Sequence, residues 1–547
     1  MKIFYNELNR EVNAKLPILS LVRNNHWFLW GLAQKSRYFG YWIKDKDRVL
    51  KLVDSFEIPG LSIFDEIKKI EIVSPYFAKI YFKGNVLEIL LDSQGLILKT
   101  SKPLKIKINL DFKKVYSNQQ FGNNYQILPL QKGYAVNFFQ EKDNYKLESY
   151  LFYEGDLKLQ NLWKEVYCGF DEERNSLPYK NWVYEAFEGY FTEIKLFCPE
   201  KQISTISFDH NTICDYELSN NDRLSNFLLK RTISLYDGYF LAGLPWFSDY
   251  WFRDELISLW LFEKAELYKT NKILLDIRNK MLNHYLENLE NFALSNKPCG
   301  NNSIDIFLWI LLLMDNKQIK KNLYTIKIIF GRWLNLYFQN KKIIPLEKST
   351  WMDSIDRPRA MEIDFLFMKT LEKLSLIEKD YLKQITLEKY KQKLKTAMVT
   401  EFYPKDEMTR PNVFLAYLLE PEFLSPQKWE KLFDNVIKNS WCSWGGFSSI
   451  AKNSPSFNSK HTGEKSESYH QGDSWFWLNN IAGISMQNLN SKKYKKQIEQ
   501  IKNAGLKNLL ELGALGWGSE LTSANELKSE GSPIQLWTMS SLIKLLE

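Results

Sequence analysis

The chain has 547 residues, of which 45% are hydrophobic and 25% charged, and its formal net charge is +8 at pH 7. This length exceeds what one hydrophobic core usually supports and predicts two domains or three. The basic residues are scattered among acidic ones, with a single dense run at 492–496. A nucleic-acid partner is therefore not expected, because its binding needs a basic stripe.

The five cysteines are widely separated and form no CxxC pair, and there are only five histidines. This pattern predicts reduced thiols in a cytoplasmic protein, without a disulfide framework, a zinc site or a histidine-based metal centre. The N-terminus has no apolar signal region, and no run of about 18 apolar residues occurs. We expect neither secretion by signal peptide nor membrane spanning.

Residues 1 to about 205 are rich in short segments of β-branched and aromatic residues, often separated by Gly, Asn, Asp or Pro. Spacings of about 8–12 residues between such segments are typical of an antiparallel β-sandwich, which we assign to residues 1–210. The segment 171–190 interrupts the pattern and is predicted to be a long loop. The strands are predicted at Tyr38–Ile43, Lys69–Ile72, Phe77–Phe82, Val86–Leu91, Leu104–Leu110, Tyr134–Phe139, Leu147–Tyr153 and Gly189–Phe197.

From about Leu224 the apolar residues follow helical spacing up to Glu547, and we place the domain boundary near Asn211–Asn221. Eleven or twelve helices joined by loops rich in Trp, Asp, Arg and Gly predict an (α/α)6 barrel over residues 221–547. No fixed repeat period supports an α-solenoid. The predicted helices are Leu224–Tyr236, Asp254–Leu267, Lys272–Phe292, Ile304–Met314, Ile319–Tyr337, Glu362–Leu374, Lys379–Val399, Pro426–Lys438, Ser474–Ser485, Lys492–Leu512 and Ile534–Leu546.

One carboxylate, Asp353, directly follows the Trp351-Met352 pair and precedes a helical pattern. An acid beside an indole is partly desolvated, which raises its pKa and suits it to protonate a sugar leaving group. The alternative from this stretch alone is a helix-start carboxylate that accepts hydrogen bonds from backbone N–H groups.

Two further loops combine tryptophan with charge. Arg253 and Asp254 follow Trp246 and Trp251, and a guanidinium beside a carboxylate can hold adjacent sugar hydroxyls. Asp305 lies four residues before Trp309 on one helix face. The alternatives are an ordinary ion pair within an aromatic cluster and an exposed acid above a core tryptophan.

Two C-terminal loops supply the remaining candidates. Tyr469, His470 and Gln471 precede a helix, and we interpret His470 as a hydrogen bonder rather than a base, although a lone histidine is more often a core residue. Glu520 lies in a Gly- and Ser-rich loop, where a carboxylate can hold water. Its alternative is a surface acid, and it competes on composition with Glu511, Glu526 and Glu530.

Asp353 and Glu520 together meet the demand of inverting glycoside hydrolysis. That reaction needs a protonated acid on the leaving oxygen and an ionised base that activates water on the opposite face of the sugar.

The ordered motifs WFRD, NSIDIFLW, TWMD, EID, RPN, YHQG and SEL…QLW resemble the amylo-α-1,6-glucosidase domain of glycogen debranching enzymes, and more distantly glucoamylases. The resemblance spans roughly residues 240–547. It implies that Asp353 is the general acid and Glu520 the general base. It also implies a substrate-binding shell, which consists of Arg253, Asp254, Trp251, Trp351, Trp537, Glu362, Arg410, His470 and Gln471. Trp246, Asp305 and Tyr469 join that shell as candidates from the residues themselves.

The sequence departs from the family pattern at Phe252, where glycine is usual, in a shortened segment after TWMD, and in Gln-Leu-Trp-Thr near the end. These departures leave the acid and base in place but leave the linkage preference open.

The expected function is an inverting, exo-acting hydrolase that removes α-1,6-linked glucose from glycogen-derived or branched malto-oligosaccharides, without metal or organic cofactor. Glucoamylase-like α-1,4 or trehalase-like specificity on the same barrel are the alternatives among enzymes. A non-catalytic glycan-binding protein is the alternative from another class. We expect no 4-α-glucanotransferase activity, because the chain has no room for a separate (β/α)8 domain.

Overall fold

A computed structural model describes residues 1–45, 48–59, 61, 66–118, 121–198, 223–266, 271–292, 295, 303–339, 342–346, 348–377, 384–399, 403–463 and 467–547. These residues form two compact units. The first unit comprises Met1–Gly238, Gly243–Ser248 and Lys507–Gly518, and the second comprises Tyr239–Ala242, Asp249–Leu506 and Ser519–Glu547. The predicted domain boundary lies outside the described residues.

The first unit contains fourteen strands, among its described residues, in one hydrogen-bonded sheet. The strands are β1 (Lys2–Tyr5), β2 (Arg10–Asn13), β3 (Ile18–Arg23), β4 (His26–Gly31), β5 (Gly40–Asp45), β6 (Arg48–Glu57), β7 (Ile67–Ser74), β8 (Phe77–Phe82), β9 (Asn85–Leu91), β10 (Gly95–Lys114), β11 (Asn123–Leu130), β12 (Gly133–Gln140), β13 (Tyr145–Tyr167) and β14 (Lys180–Phe197).

The long strand β10 connects two groups of strands. Its first part pairs with β9, its second part pairs with β6, and β14 pairs with it along nearly its whole length. Alternation of buried and half-buried residues, clearest in β8, supplies the apolar face that the sequence predicts. The predicted β-rich first part of the chain is thus confirmed.

The loop predicted at residues 171–190 is wrong for most of its length. After the short helix α1 (Gly169–Glu173), the chain enters β14 at Lys180 and pairs with both β13 and β10. Asp171 is buried there and accepts hydrogen bonds from Ser36 Oγ at 2.5 Å and from the backbone N–H of Arg37 at 2.9 Å. The polar residue Asp171 therefore belongs to an internal hydrogen-bond network and is not exposed to solvent.

The principal helices that follow agree with the predicted helical second part of the chain. They are α2 (Arg223–Ser234), α3 (Phe252–Lys264), α4 (Lys272–Glu287), α5 (Leu289–Phe292), α6 (Ile306–Leu313), α7 (Asn316–Lys321), α8 (Leu323–Tyr337), α9 (Met361–Ile377), α10 (Gln384–Val399), α11 (Asn412–Leu419), α12 (Pro426–Ser440), α13 (Phe476–Asn490), α14 (Lys495–Lys507) and α15 (Leu536–Leu546).

Six helices of the second unit pack in a closed sequence: α3 contacts α6, and the contacts continue through α9, α11, α13 and α15 back to α3. Each of these six helices carries buried residues on all of its faces, as expected of helices enclosed by other elements. At least one further helix lies in sequence between each consecutive pair, and α4, α8, α12 and α14 each bury only one face.

Helix α11 was not among the predicted helices. Its sequence, NVFLAYLL, is apolar at nearly every position and spans only eight residues. A short, uniformly apolar segment has no 3.6-residue periodicity by which a helix can be distinguished from a strand.

Candidate active site

The loops that precede the six enclosed helices contact one another around the ring. Each contact joins one of these loops, or the first turn of the helix that follows it, to the loop or first turn of the next helix, so the loops lie together on one side of the second unit. The contacts are Arg253 Nε to Asp305 (2.8 Å), Ile304 N–H to Ser349 O (3.0 Å), Trp351 Nε1 to Asn412 Oδ1 (3.1 Å), Arg410 Nη1 to His470 O (3.2 Å), Phe476 N–H to Glu520 O (3.2 Å) and Gln535 Nε2 to Asp254 Oδ1 (3.0 Å).

Arg253 is buried, and most of its donors are used by protein groups. Besides the hydrogen bond to Asp305, its Nη2 donates to Ser303 Oγ at 2.7 Å. The remaining nitrogen, Nη1, lies 3.7 Å from Oδ2 of Asp353. Arg253 therefore connects the Asp305 and Asp353 loops.

Asp353 is an accessible carboxyl group, with 42% of its side chain exposed, whereas Arg253 is 3% exposed. The protein around the carboxyl displaces enough water to raise the pKa of Asp353 to about 6, although the Arg253 guanidinium acts in the opposite direction. Burial also raises the pKa of Asp254 to about 7, again against the effect of Arg253 and with a further increase from the charge of Asp353. Two neighbouring carboxyl groups thus have pKa values closer to neutral pH than a free aspartate has.

Aromatic rings pack closely behind Asp353. Trp351 is buried and meets His470, Trp475 and Trp477 edge-on, with ring centroids 5.1–5.3 Å apart. Trp477 in turn stacks on Trp537 at 5.0 Å. Of the three tryptophans assigned to the sugar site by resemblance, Trp351 and Trp537 are buried, and Trp251 is half-buried at the start of α3.

Glu520 contacts the same aromatic cluster through Tyr469. The Tyr469 hydroxyl donates to Oε1, and the Ser532 backbone N–H donates to Oε2 at 2.7 Å. The Tyr469 ring lies 4.8 Å from Trp475, which itself contacts Trp351. Ring contacts therefore link Tyr469, which donates to Glu520, to Trp351, which lies two residues before Asp353 in the chain.

The three acids that compete with Glu520 on composition lie in different environments. Glu526 is 53% exposed, and Glu530 accepts a hydrogen bond from the Ser523 backbone N–H. Glu511 belongs to the first unit. Of the four, Glu520 is the buried carboxylate in direct contact with the aromatic cluster.

His470 is a buried hydrogen bonder. Its Nδ1 lies 2.7 Å from Ser354 Oγ, and its ring stacks on Trp475 at 5.0 Å. Burial, with the cations Arg357, Arg410 and Arg253, lowers the pKa of His470 well below its ordinary value. The imidazole is consequently neutral at physiological pH.

Glu362 and Arg410 belong to a buried charge network that the sequence did not reveal. Arg357 pairs with Glu362 and, at 3.1 Å, with Glu407, while Arg410 pairs with Asp406 at 2.6 Å. Arg357 and Glu407 carry no recognisable motif, so this network became apparent only from the structure.

Trp246 is the exception among the candidate site residues in the unit to which it belongs. This residue belongs to the first unit, where Tyr38 packs edge-on against it at 5.3 Å and Arg174 lies 5.0 Å over its ring. Trp309 packs on Trp260 at 5.1 Å within the helices, so the interpretation of Trp309 as a core residue is the right one.

Gln535 is a further candidate site residue, which the sequence motifs did not single out. It immediately precedes α15 and donates to Asp254, the residue beside Arg253. The QLW motif contained this residue, but sequence alone gave no reason to relate it to a loop almost three hundred positions earlier.

Among the described residues, no cluster of three or more His, Cys, Asp or Glu side chains is arranged to hold a metal ion. Within the same part of the chain, no helix combines the length and the apolar character needed to cross a membrane.

Comparison with protein families matches residues 224–544 to the family described as amylo-alpha-1,6-glucosidase. Comparison with curated protein sequences finds no match. The chain is a carbohydrate-active enzyme of the glycosidase type. It belongs to the amylo-alpha-1,6-glucosidase family, whose model covers more than half of its length.

Solved structures with similar folds share little sequence with the chain. A D-mannose isomerase is 12% identical, with a TM-score of 0.37, and covers 59% of this chain and 95% of its own. The GH76A alpha-1,6-mannanase from Salegentibacter sp. HEL1_6 is 13% identical, with a TM-score of 0.37, over 59% of this chain and 97% of its own. A predicted kojibiose phosphorylase from the human microbiome is 10% identical, with a TM-score of 0.47, over 96% and 86%. These likenesses carry no information about what this chain binds.

Proposed function

We propose that the protein is an inverting, exo-acting hydrolase that removes α-1,6-linked glucose from glycogen-derived or branched malto-oligosaccharides. The observation that carries the proposal is the position and character of Asp353. This carboxyl group is accessible and has a pKa near 6, and its loop lies on the same side of the second unit as the loop that contains Glu520. We further propose that the six enclosed helices form the inner layer of an (α/α)6 barrel and that the first unit is a β-sandwich, corresponding to the domains 221–547 and 1–210.

In this scheme Asp353 is the general acid. With a pKa near 6, a usable fraction of Asp353 is protonated close to neutral pH, and the group can give its proton to the departing glycosidic oxygen. The nearby Arg253 cation then stabilises the carboxylate that remains. Arg253 thus acts on the acid itself, besides any contact with sugar hydroxyls.

Glu520 is the general base in the same scheme. Hydrogen bonds from Tyr469 and from the Ser532 backbone N–H fix the orientation of the carboxylate. A carboxylate fixed in this way can take a proton from a water molecule that attacks the anomeric carbon from the face opposite the leaving oxygen. The product would have inverted anomeric configuration.

Trp251 and Asp254 are the proposed contacts for the glucose unit. Trp251 is half-buried and so retains accessible ring surface. Trp351 and Trp537 are buried, and we assign them a supporting role beneath the sugar-binding surface. Asp254, oriented by Gln535, can hydrogen-bond sugar hydroxyls.

The linkage is tested by initial rates of glucose release from panose, isomaltose, maltose and trehalose. The proposal predicts the highest kcat/KM for panose. A preference for maltose would indicate a glucoamylase-like enzyme, and a preference for trehalose a trehalase-like one. Tight oligosaccharide binding without any glucose release would overturn the enzymatic proposal in favour of a glycan-binding protein.

A further inference from the structure

Gly531 lies directly against the side chain of Glu520. Its backbone has a φ of +66°, a conformation that glycine adopts freely and that other residues adopt only at a cost. A methyl group in place of its hydrogen would overlap Oε2 of Glu520 and would lie 3.0 Å from Cβ of the same side chain. Cγ of Leu521 would be 2.9 Å away. This position therefore requires glycine both for its backbone conformation and for the space that Glu520 occupies.

Hydrogen bonds hold the backbone around Glu520 on two sides. The Glu520 N–H donates to Ser532 O at 2.8 Å, and Leu521 and Glu530 exchange two backbone hydrogen bonds at 3.0 and 3.3 Å. On the other side, the N–H of Phe476, the first residue of α13, donates to Glu520 O at 3.2 Å. A shift of the backbone would break these bonds. The end of the Glu520 side chain is consequently the part that moves when the neighbouring space is lost.

The turn that contains Gly531 also orients the carboxylate of Glu520. The next residue, Ser532, donates its backbone N–H to Oε2 at 2.7 Å, and the Tyr469 hydroxyl donates to Oε1. Oε2 is thus both the atom that this N–H fixes and the atom that a methyl group on the preceding residue would displace. Catalysis is sensitive to such displacements, since a misplacement of about 1 Å can cost a factor of about 100 in rate.

We propose that Gly531 is a positioning residue for the general base. The lack of a side chain at this position lets the Ser532 N–H reach Oε2 of Glu520 and keeps the carboxylate in the orientation that activates water. The inference rests on the proposed function, in which Glu520 takes a proton from the attacking water. Gly531 itself transfers no proton and acts only through Glu520.

The first test compares the turnover of two alanine variants. Gly531→Ala should lower kcat about 100-fold with little change in KM, and equally on panose and on α-glucosyl fluoride, because both substrates need the base. Gly84→Ala is the matched control. Gly84 has a φ of +71°, and apart from its chain neighbours no described atom lies within 4 Å of an added methyl group. Gly84→Ala should therefore retain the wild-type kcat.

A double-mutant cycle separates positioning from general damage to the protein. Glu520→Gln removes the base, so in its background a residue that acts only through the base has nothing left to position. Gly531→Ala should therefore cause no further loss of kcat in Glu520→Gln. A defect in folding, or in another part of the site, would instead lower kcat by the same factor in both backgrounds.

A stability measurement tests the contact independently of activity. Glu520→Ala removes the carboxyl group that a methyl group on Gly531 would overlap. We expect the fall in Tm that Gly531→Ala causes to be smaller in the Glu520→Ala background than in the wild type. Recovery of folded Gly531→Ala protein in the Glu520→Ala background alone would support the contact in the same way.

Four results would each overturn the positioning role and leave the hydrolase proposal standing. They are wild-type kcat in Gly531→Ala, an equal loss of kcat in the wild-type and Glu520→Gln backgrounds, an equal fall in Tm with and without Glu520→Ala, and failure of Gly531→Ala to fold in either background. Near wild-type turnover of Glu520→Gln, or no hydrolysis of any substrate by the wild-type protein, would overturn the proposed function and the positioning role together.

Discussion

Nη1 of Arg253 lies 3.7 Å from Oδ2 of Asp353, while Nε of the same guanidinium donates to Asp305 at 2.8 Å. A cation this close would normally lower the pKa of a carboxyl group. Here the loss of hydration is the larger effect, and the pKa of Asp353 rises to about 6. Asp305 contributes to this outcome because its negative charge also disfavours ionisation of Asp353.

Replacement of the acid should abolish most activity on natural linkages. Asp353→Asn removes the proton donor, and we expect kcat on panose to fall about 100- to 10,000-fold, the usual contribution of general acid catalysis. Hydrolysis of α-glucosyl fluoride should fall much less, since fluoride departs with little protonation. Asp276→Asn, at an exposed residue of α4 paired with Lys280, is the matched control. Equal losses on both substrates would contradict the assignment of Asp353.

Replacement of the base should have the complementary effect. Glu520→Gln cannot accept a proton from water, so we expect a loss of about 100- to 10,000-fold on panose and on α-glucosyl fluoride alike. Glu526→Gln alters an exposed acid of the same C-terminal region and should remain active. Near wild-type turnover in Glu520→Gln would show that another group activates the water.

The pH profile should respond to Asp305. Since the Asp305 charge raises the pKa of Asp353, Asp305→Asn should lower it and shift the basic limb of kcat/KM to lower pH. The loss of the Arg253 counter-ion acts in the same direction, because Arg253 then attracts Asp353 more strongly. Asp434→Asn, on the exposed face of α12, is the control. A limb that stays in place or moves to higher pH in Asp305→Asn would contradict this account.

Stability should depend on pH through Glu255. This buried residue accepts hydrogen bonds from Tyr285 Oη and the Phe240 backbone N–H, yet burial raises its pKa to about 8. The folded protein binds this proton more tightly than the unfolded chain, so its stabilising effect is complete below about pH 4.5 and is lost as the pH rises through about 8.

Glu255→Gln keeps the shape of the side chain without the charge. We expect the Tm of the variant, relative to wild type, to be at least about 2 °C higher at pH 8.5 than at pH 5, measured by differential scanning fluorimetry. A relative Tm that is the same at both values, or higher at pH 5, would show that Glu255 does not titrate as proposed.

Sequence patterns predicted the order of elements well wherever residues alternate or repeat with helical period. The β-rich first part and most helices belong to this group. The sequence patterns failed where burial is uniform, as in α11, and where polar residues form internal hydrogen-bond networks, as at Asp171.

The geometry of the candidate site could not be read from the sequence, because it depends on contacts between distant loops. The Arg357 network, the orientation of Asp254 by Gln535 and the placement of Trp246 in the other unit all belong to this class. Composition and spacing identify residue types that suit a glycan site, but only the packing of the enclosed helices determines which of them meet.

The most direct test of the central claim is the anomeric configuration of the first glucose released, followed by 1H NMR during early turnover of panose. An acid and a base that act through water on opposite faces of the sugar predict β-glucose from the α-linked substrate. Release of α-glucose would contradict that mechanism and the roles of Asp353 and Glu520 within it.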